Sequence, residues 1–429
     1  MTGSGRSGRS GSPPPGSPPP GSPPPGSPPP GSPLCIHGAT ILGEADSADT
    51  RVVLVDAGRI QSIDSGERLP CPPGARRLDA TGLVLAAGFI DLQVNGAFGV
   101  DFTISPERLW EVAAELPRHG VTAFLPTIIS SSPVMLERAR SALLAGPPPG
   151  FVGAWPVGLH LEGPFLSSAR RGVHDSSFLR LPDLGTVADW SPATGIRMVT
   201  LAPELPGALA VVRALAERGV VVSAGHTAAT LAEGLAGIDA GIRYATHVFN
   251  AMPPIDHREP GLVTAVLLDD RVTAGFVADG THVAPEVLAL AARAVGRGRF
   301  STVSDGIAGL GMPPGGYPLG DLEVTSDGVA ARRGDGRLAG SVVQLDQGIR
   351  NVRAFLGWSL ADAVATVTSV PARLLGVTDR HGVLAPGADF DAVLLTPELE
   401  IVATFIAGRI VHATGALDGR MHDGDADPG

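Results

Sequence analysis

Lysine is missing from this chain of 429 residues, so every basic residue other than histidine is an arginine. Schiff-base chemistry on a lysine is therefore excluded, and so is any metal pair bridged by a carbamylated lysine. Cysteine is scarce: Cys35 and Cys71 are the only two. Two cysteines do not make a disulfide framework or a thiolate metal site, and the expectation is a pair of reduced thiols in a cytoplasmic protein. No apolar run reaches the roughly 18 residues of a membrane span, and no apolar segment follows the N-terminus. Neither a membrane anchor nor a secretion signal is expected. Excess positive charge is missing too. A formal net charge of −11 argues against nucleic acid or an acidic membrane surface as a partner. It leaves room for a small anionic ligand at a locally positive site.

What is present is enough apolar material for a large core, at 44% of residues. It is not spread evenly. Residues 1–33 are low in complexity, with GSPPP repeated four times between Gly11 and Pro30, and are expected to form a disordered arm. Residues 34–84 and 382–415 read as strands separated by Gly and Asp turns, and the two segments are expected to pair into one small β-sandwich. Residues 416–429 are expected to be a flexible tail. Between them, over 85–381, eight short apolar runs alternate with helical patterns. The runs begin with GFIDLQV at Gly88 and end with FSTVSDG at Phe300. Stretches such as SPERLWEVAAELPRHG and TLAEGLAGIDAG, which separate them, start from Ser or Thr caps. Eight such units make the fold class α/β, a (β/α)8 TIM-type barrel with the β-sandwich at its side.

Polar residues gather at the C-terminal ends of these apolar runs: Gln93 and Asn95, Glu162, His226, His247 with Asn250, Asp279 with His282, and Asp305. A barrel builds its active site on that face, from several strand ends. Two histidines and a carboxylate are a common catalytic metal set, which assigns Glu162, His226 and His247 as ligands. Such a metal lowers the pKa of bound water to about 7 and polarises a carbonyl. Asp305 is then placed as the base for that water and the acid for the leaving group. The first run ends in Gln93 and Asn95 where many metal hydrolases carry His-x-His, so the two imidazoles of a second metal are not available. One divalent metal per subunit is expected, with zinc first and iron, cobalt or manganese also suited to these donors. His160 and His119 read as structural, and His257 as facing solvent.

The segments GLHLEGPF, AGHTAA, THVFNAMPP, REPGLV, VADGTHV and VSDG occur in this order. Together they resemble the N-acetylglucosamine-6-phosphate deacetylases, a branch of the amidohydrolase superfamily, over residues 34 to 415. The resemblance implies hydrolysis of N-acetylglucosamine 6-phosphate to glucosamine 6-phosphate and acetate. The same reaction on N-acetylgalactosamine 6-phosphate, or another mononuclear amidohydrolase, is the alternative. It implies a single metal on Glu162, His226 and His247, with Asp305 as acid and base and with Gln93 and Asn95 as neutral groups beside the metal. Asn250 and Ala251 are implied at the sugar, and Arg258 and His282 at the phosphate. His174 is implied beside the acetamide, with Val173 in the pocket wall. Leu338, Ala339 and Gly340 match a further substrate-contacting segment, as LAGS where relatives often have LSGS. A small-molecule partner and a homodimer are implied, with Arg258 acting across its interface. SDGIAGLG after the eighth run departs from the TDAMAAAG of many relatives, although the acid is kept.

Overall fold

The computed structural model describes residues 32–42, 51–65 and 71–422. Most of the arm expected over 1–33 lies outside the described residues, as do positions 423–429 of the expected tail. Eight parallel strands follow one another in chain order around a barrel: β1 (Phe89–Val94), β2 (Val121–Ile129), β3 (Leu159–Glu162), β4 (Ile196–Leu201), β5 (Val221–Ala224), β6 (Ile242–Ala245), β7 (Thr273–Val277) and β8 (Phe300–Val303). Neighbours pair in parallel from β1 to β8. The seam is drawn together past the strand ends, where the amides of Asn95 and Gly96 both donate to the Gly306 carbonyl at 2.8 and 3.0 Å. The strands are largely apolar and buried because helices cover the outside while side chains fill the inside. β2, VTAFLPTII, is buried at every position.

The helices largely start where the caps indicate. Thr230 and Glu233 form a reciprocal capping box on the helix Leu231–Ala240, and Ser132 caps Pro133–Leu144. The stretch from Ser105 to His119, expected as one helix, divides into a 3-10 turn, an α-helix over Leu109–Glu115 and a second 3-10 turn over Leu116–His119. Pro117 accounts for the second break, since it has no amide to donate within an α-helix. Two connections differ from a plain strand–helix repeat. Between β3 and β4 the chain makes 3-10 turns in place of an α-helix. After β8, a three-stranded antiparallel insert (Gly315–Leu319, Leu322–Ser326, Ala331–Arg332) precedes the helix Leu345–Leu356.

Both ends of the chain contribute to one further sheet. Strand Val84–Ala87 pairs with Ala392–Leu395 on one side and with Leu34–Ile41 on the other. Its core includes Ile36, Leu78, Leu394 and Phe405. The boundary drawn between residues 84 and 85 thus falls inside a strand. Met421–His422 also pairs with Leu78 and Arg77, so ordered structure continues into the segment expected as a tail from 416.

The cysteine expectation is corrected here. Cys35 and Cys71 form a disulfide, their Cα atoms 5.8 Å apart, within the span a disulfide bridges. Parallel pairing of Leu34–Ile41 with Arg76–Asp79 brings the two together, although 36 positions separate them in sequence. The argument from free thiols to a reducing compartment is thereby removed. Among the described residues no helix is long and apolar enough to cross a membrane.

Candidate active site and metal centre

Three side chains from three strands meet at the C-terminal face of the barrel. Glu162 is the last residue of β3, His226 lies just past β5 and His247 just past β6. The Nε2 atoms of His226 and His247 stand 3.1 and 2.9 Å from Glu162 Oε1 and 3.1 Å from each other. All three residues are buried, and they are the group able to hold a metal ion among the described residues. Donor atoms bonded at about 2.0–2.1 Å to one tetrahedral centre lie roughly 3.3 Å apart, close to the spacing found. The histidine orientation fits as well. His226 Nδ1 bonds the Arg170 carbonyl at 3.0 Å. A carbonyl only accepts, so Nδ1 carries the proton and Nε2 offers its lone pair to the centre.

The electrostatics bind the set together. Burial pushes the Glu162 carboxyl up, but hydrogen bonds from His226 and His247 and their charges outweigh it and hold Glu162 well below the usual range. Burial pushes His247 down, yet the hydrogen bond and charge of Glu162, with Asp305 behind it, raise it to about 8. A cation bound here displaces that proton, so binding favours higher pH.

Asp305, two residues past β8, is buried, and its Oδ1 accepts from Asn95 Nδ2 at 2.8 Å. Burial raises its carboxyl to about 6, against the opposing charge of His247. His226, His247 and Asp305 each adopt a left-handed backbone, with φ of 49°, 27° and 49°. Such residues cost on the order of 1–3 kcal/mol each. Three together turn the chain at the strand ends and point these side chains inward. Gly172 (φ 57°) packs beside them, where a Cβ would lie 3.2 Å from His226 Cε1.

Gln93 is not placed as a ligand. Its Nε2 donates to Glu162 Oε1 at 3.2 Å while its Oε1 accepts from the Thr246 hydroxyl. It thus presents a hydrogen, not a lone pair, to the ligand atoms. His174 sits on the helix-free connection after β3. The backbone amide of Ser130 donates to its Nδ1 at 3.2 Å, so in the neutral ring the proton is on Nε2. Burial, with the neighbouring His226, lowers this imidazole to about 3 and keeps it neutral. Nε2 is buried without a hydrogen-bond partner among the described residues, 3.9 Å from Glu162 Oε2. A neutral N–H aimed beside a metal set is a ready donor to a carbonyl oxygen.

A cavity of about 380 Å³ opens over these groups, and Val173, Asn250, Ala251, His282, Leu338, Ala339 and Gly340 line it with them. Asp279 holds His282, accepting from its Nδ1 at 2.6 Å. The segment 338–340 is anchored to the acid, since the Ser341 amide donates to the Asp305 carbonyl at 2.9 Å. Arg258 does not join this lining. It lies exposed on the loop after β6, its amide bonded to Asp256. His160 is satisfied by Thr200 and the Leu92 carbonyl, and His119 by Asp346. Six lining residues went unforeseen: Ile129, Ala169, Arg170, Gly172, Leu319 and Arg337. The Arg170–Arg171 doublet was a usable signal, whereas Leu319 and Arg337 belong to the insert after β8, which barrel periodicity does not announce.

Residues 84–411 match the Amidohydrolase family. Human N-acetylglucosamine-6-phosphate deacetylase is 40% identical over 352 residues, which is 78% of this chain and 85% of the relative. The protein of the same name from Bacillus subtilis (strain 168) is 32% identical over 392 residues, covering 90% and 98%. Among solved structures, a variant N-acetyl-D-glucosamine-6-phosphate deacetylase from Mycobacterium smegmatis, in complex with N-acetyl-D-glucosamine-6-phosphate, has a TM-score of 0.82 and 34% identity over 90% of this chain and all of that one. The N-acetylglucosamine-6-phosphate deacetylase from Pasteurella multocida has a TM-score of 0.82 and 28% identity, covering 89% and 100%.

Proposed function

The chain belongs to the amidohydrolase family, among the N-acetylglucosamine-6-phosphate deacetylases, and on that premise we propose that it hydrolyses N-acetylglucosamine 6-phosphate to glucosamine 6-phosphate and acetate. The observation that carries this reading is the convergence of Glu162, His226 and His247 beside a buried acid, Asp305, and an unpartnered imidazole, His174. A divalent cation held by the three ligands supplies Lewis-acid polarisation of the amide carbonyl and activation of water. His174 donates its Nε2–H to the carbonyl oxygen as negative charge develops there. Asp305 takes the proton of the attacking water and returns it to the departing amine. Asn95 holds the Asp305 carboxylate in place throughout. Gln93 orients Glu162, and because it contributes a hydrogen to the ligand cluster the centre is assigned one cation. Zinc is the first choice, with iron, cobalt and manganese compatible with these donors.

Asn250, Ala251 and the 338–340 segment are assigned to the sugar, and His282 to the phosphate. Arg258, exposed and outside the lining of its own cavity, is assigned to the phosphate of substrate bound in the partner of a homodimer. An arginine fork suits a phosphate dianion. Arg258→Ala should raise KM for the phosphorylated sugar by roughly 10–100-fold, the worth of a charge-assisted hydrogen bond, and leave turnover of unphosphorylated N-acetylglucosamine unchanged. Equal losses on both sugars would remove the arginine from this role.

The acid limb of the pH profile belongs to Asp305. The carboxylate must be ionised to accept a proton, and burial raises it to about 6. Activity is therefore lost as pH falls through that value, and a bound cation shifts the limb downward. kcat/KM should fall on the acid side with a midpoint at or below about 6, and a midpoint near neutrality would assign the limb to another group. Acetate release, compared on N-acetylglucosamine 6-phosphate and N-acetylgalactosamine 6-phosphate, tests the function itself. Preferential release from the former is expected; release from neither sinks the reading.

A further inference from the structure

The cavity has two unlike halves. Toward β6 and β7 it is polar, with Asn250 and the Asp279-bound His282. Toward β2 and the insert after β8 its wall is mainly apolar, formed by Ile129, Val173, Leu319 and Ala339, which pack in one cluster, with Arg337 also lining the cavity from the insert. Ile129 is central to that wall. It is the register partner of Glu162 across the parallel β2–β3 pair, so its side chain points to the same side of the sheet as the ligand carboxylate. It is held there, its amide donating to the Thr103 hydroxyl at 3.1 Å. The insert closes directly onto it: a Cβ on Gly320 (φ 55°) would lie 2.9 Å from Ile129 Cδ1.

The reacting acyl carbon has three substituents, and the site has a place for each. Its oxygen turns to the ligand cluster and His174 Nε2, and its nitrogen leads the sugar into the polar half. The alkyl group then faces the apolar wall. We propose that Ile129 sets the acyl-length limit of this enzyme, closing a slot that takes a methyl group and shuts out longer N-acyl chains. The inference rests on the deacetylase reading and adds to it a specificity-determining residue. In a close-packed apolar pocket one methylene is worth about 10–200-fold in kcat/KM.

The test compares N-acetyl-, N-propionyl- and N-butyrylglucosamine 6-phosphate on the metal-loaded enzyme. The wild type should favour acetyl over butyryl by at least roughly 100-fold, for two added methylenes. Ile129→Ala should raise the butyryl-to-acetyl ratio of kcat/KM by about 10-fold or more. Ile129→Val, which removes a single methyl and keeps the fold if the alanine variant does not, should raise it by a few-fold. A ratio unchanged in the folded variants, or a wild type that hydrolyses butyryl as well as acetyl, overturns the inference while leaving the deacetylase reading intact. A wild type that releases no acid from any of the three overturns that reading and the inference with it.

Discussion

Asp305→Asn is expected to lower kcat by roughly 10³–10⁴-fold, the upper part of the range for general acid–base catalysis, because this one carboxylate serves both proton transfers. The substitution preserves shape, and Asn95 can still donate to the remaining amide oxygen. Bound metal, thermal stability and KM should therefore stay close to wild type. That combination separates a chemical role from a structural one, since a scaffold residue at this buried position would disturb stability or metal content first. A variant retaining more than about a tenth of wild-type kcat would remove Asp305 from the mechanism. The asparagine should also abolish the acid limb of the pH profile, because the group assigned to it no longer titrates.

Glu162→Gln should cost at least as much, by a different route. Glu162 Oε1 is the shared contact of both imidazoles and the only anionic donor of the set. Without it the site offers two neutral nitrogens, a poor match for a divalent cation. The cation contributes several kcal/mol of transition-state stabilisation, and each 1.36 kcal/mol is a factor of ten, so a loss of at least roughly 10³-fold is expected. Elemental analysis of the purified variant should show the cation lost together with activity. Full metal occupancy with turnover within about tenfold of wild type would mean that the three residues do not form the centre.

The candidate site was legible in the sequence because parallel strands buried on both faces give carboxylates and imidazoles no reason to sit at their ends. Glu162, His226, His247 and Asp305 stood out against apolar runs, and the structure brings all four to one face. What could not be read was how those ends turn. The left-handed backbones of His226, His247 and Asp305 arise from tertiary context, at residues that are not themselves glycine. The apolar half of the cavity was hidden for a related reason. Ile129 reads as one more apolar residue of β2, and only the insert folding back on it makes it a pocket wall. Distances far along the chain were the other blind spot, as with Cys35 and Cys71, paired through sheet register that spacing does not reveal.

Titration of metal into the metal-depleted chain, with acetate release from N-acetylglucosamine 6-phosphate followed at each addition, tests the central claim most directly. A single centre on Glu162, His226 and His247, with Gln93 donating a hydrogen to Glu162, requires activity to rise linearly and level off at one equivalent of cation per chain. Activity that levels off only at two equivalents, or acetate release that needs no cation, would contradict the account.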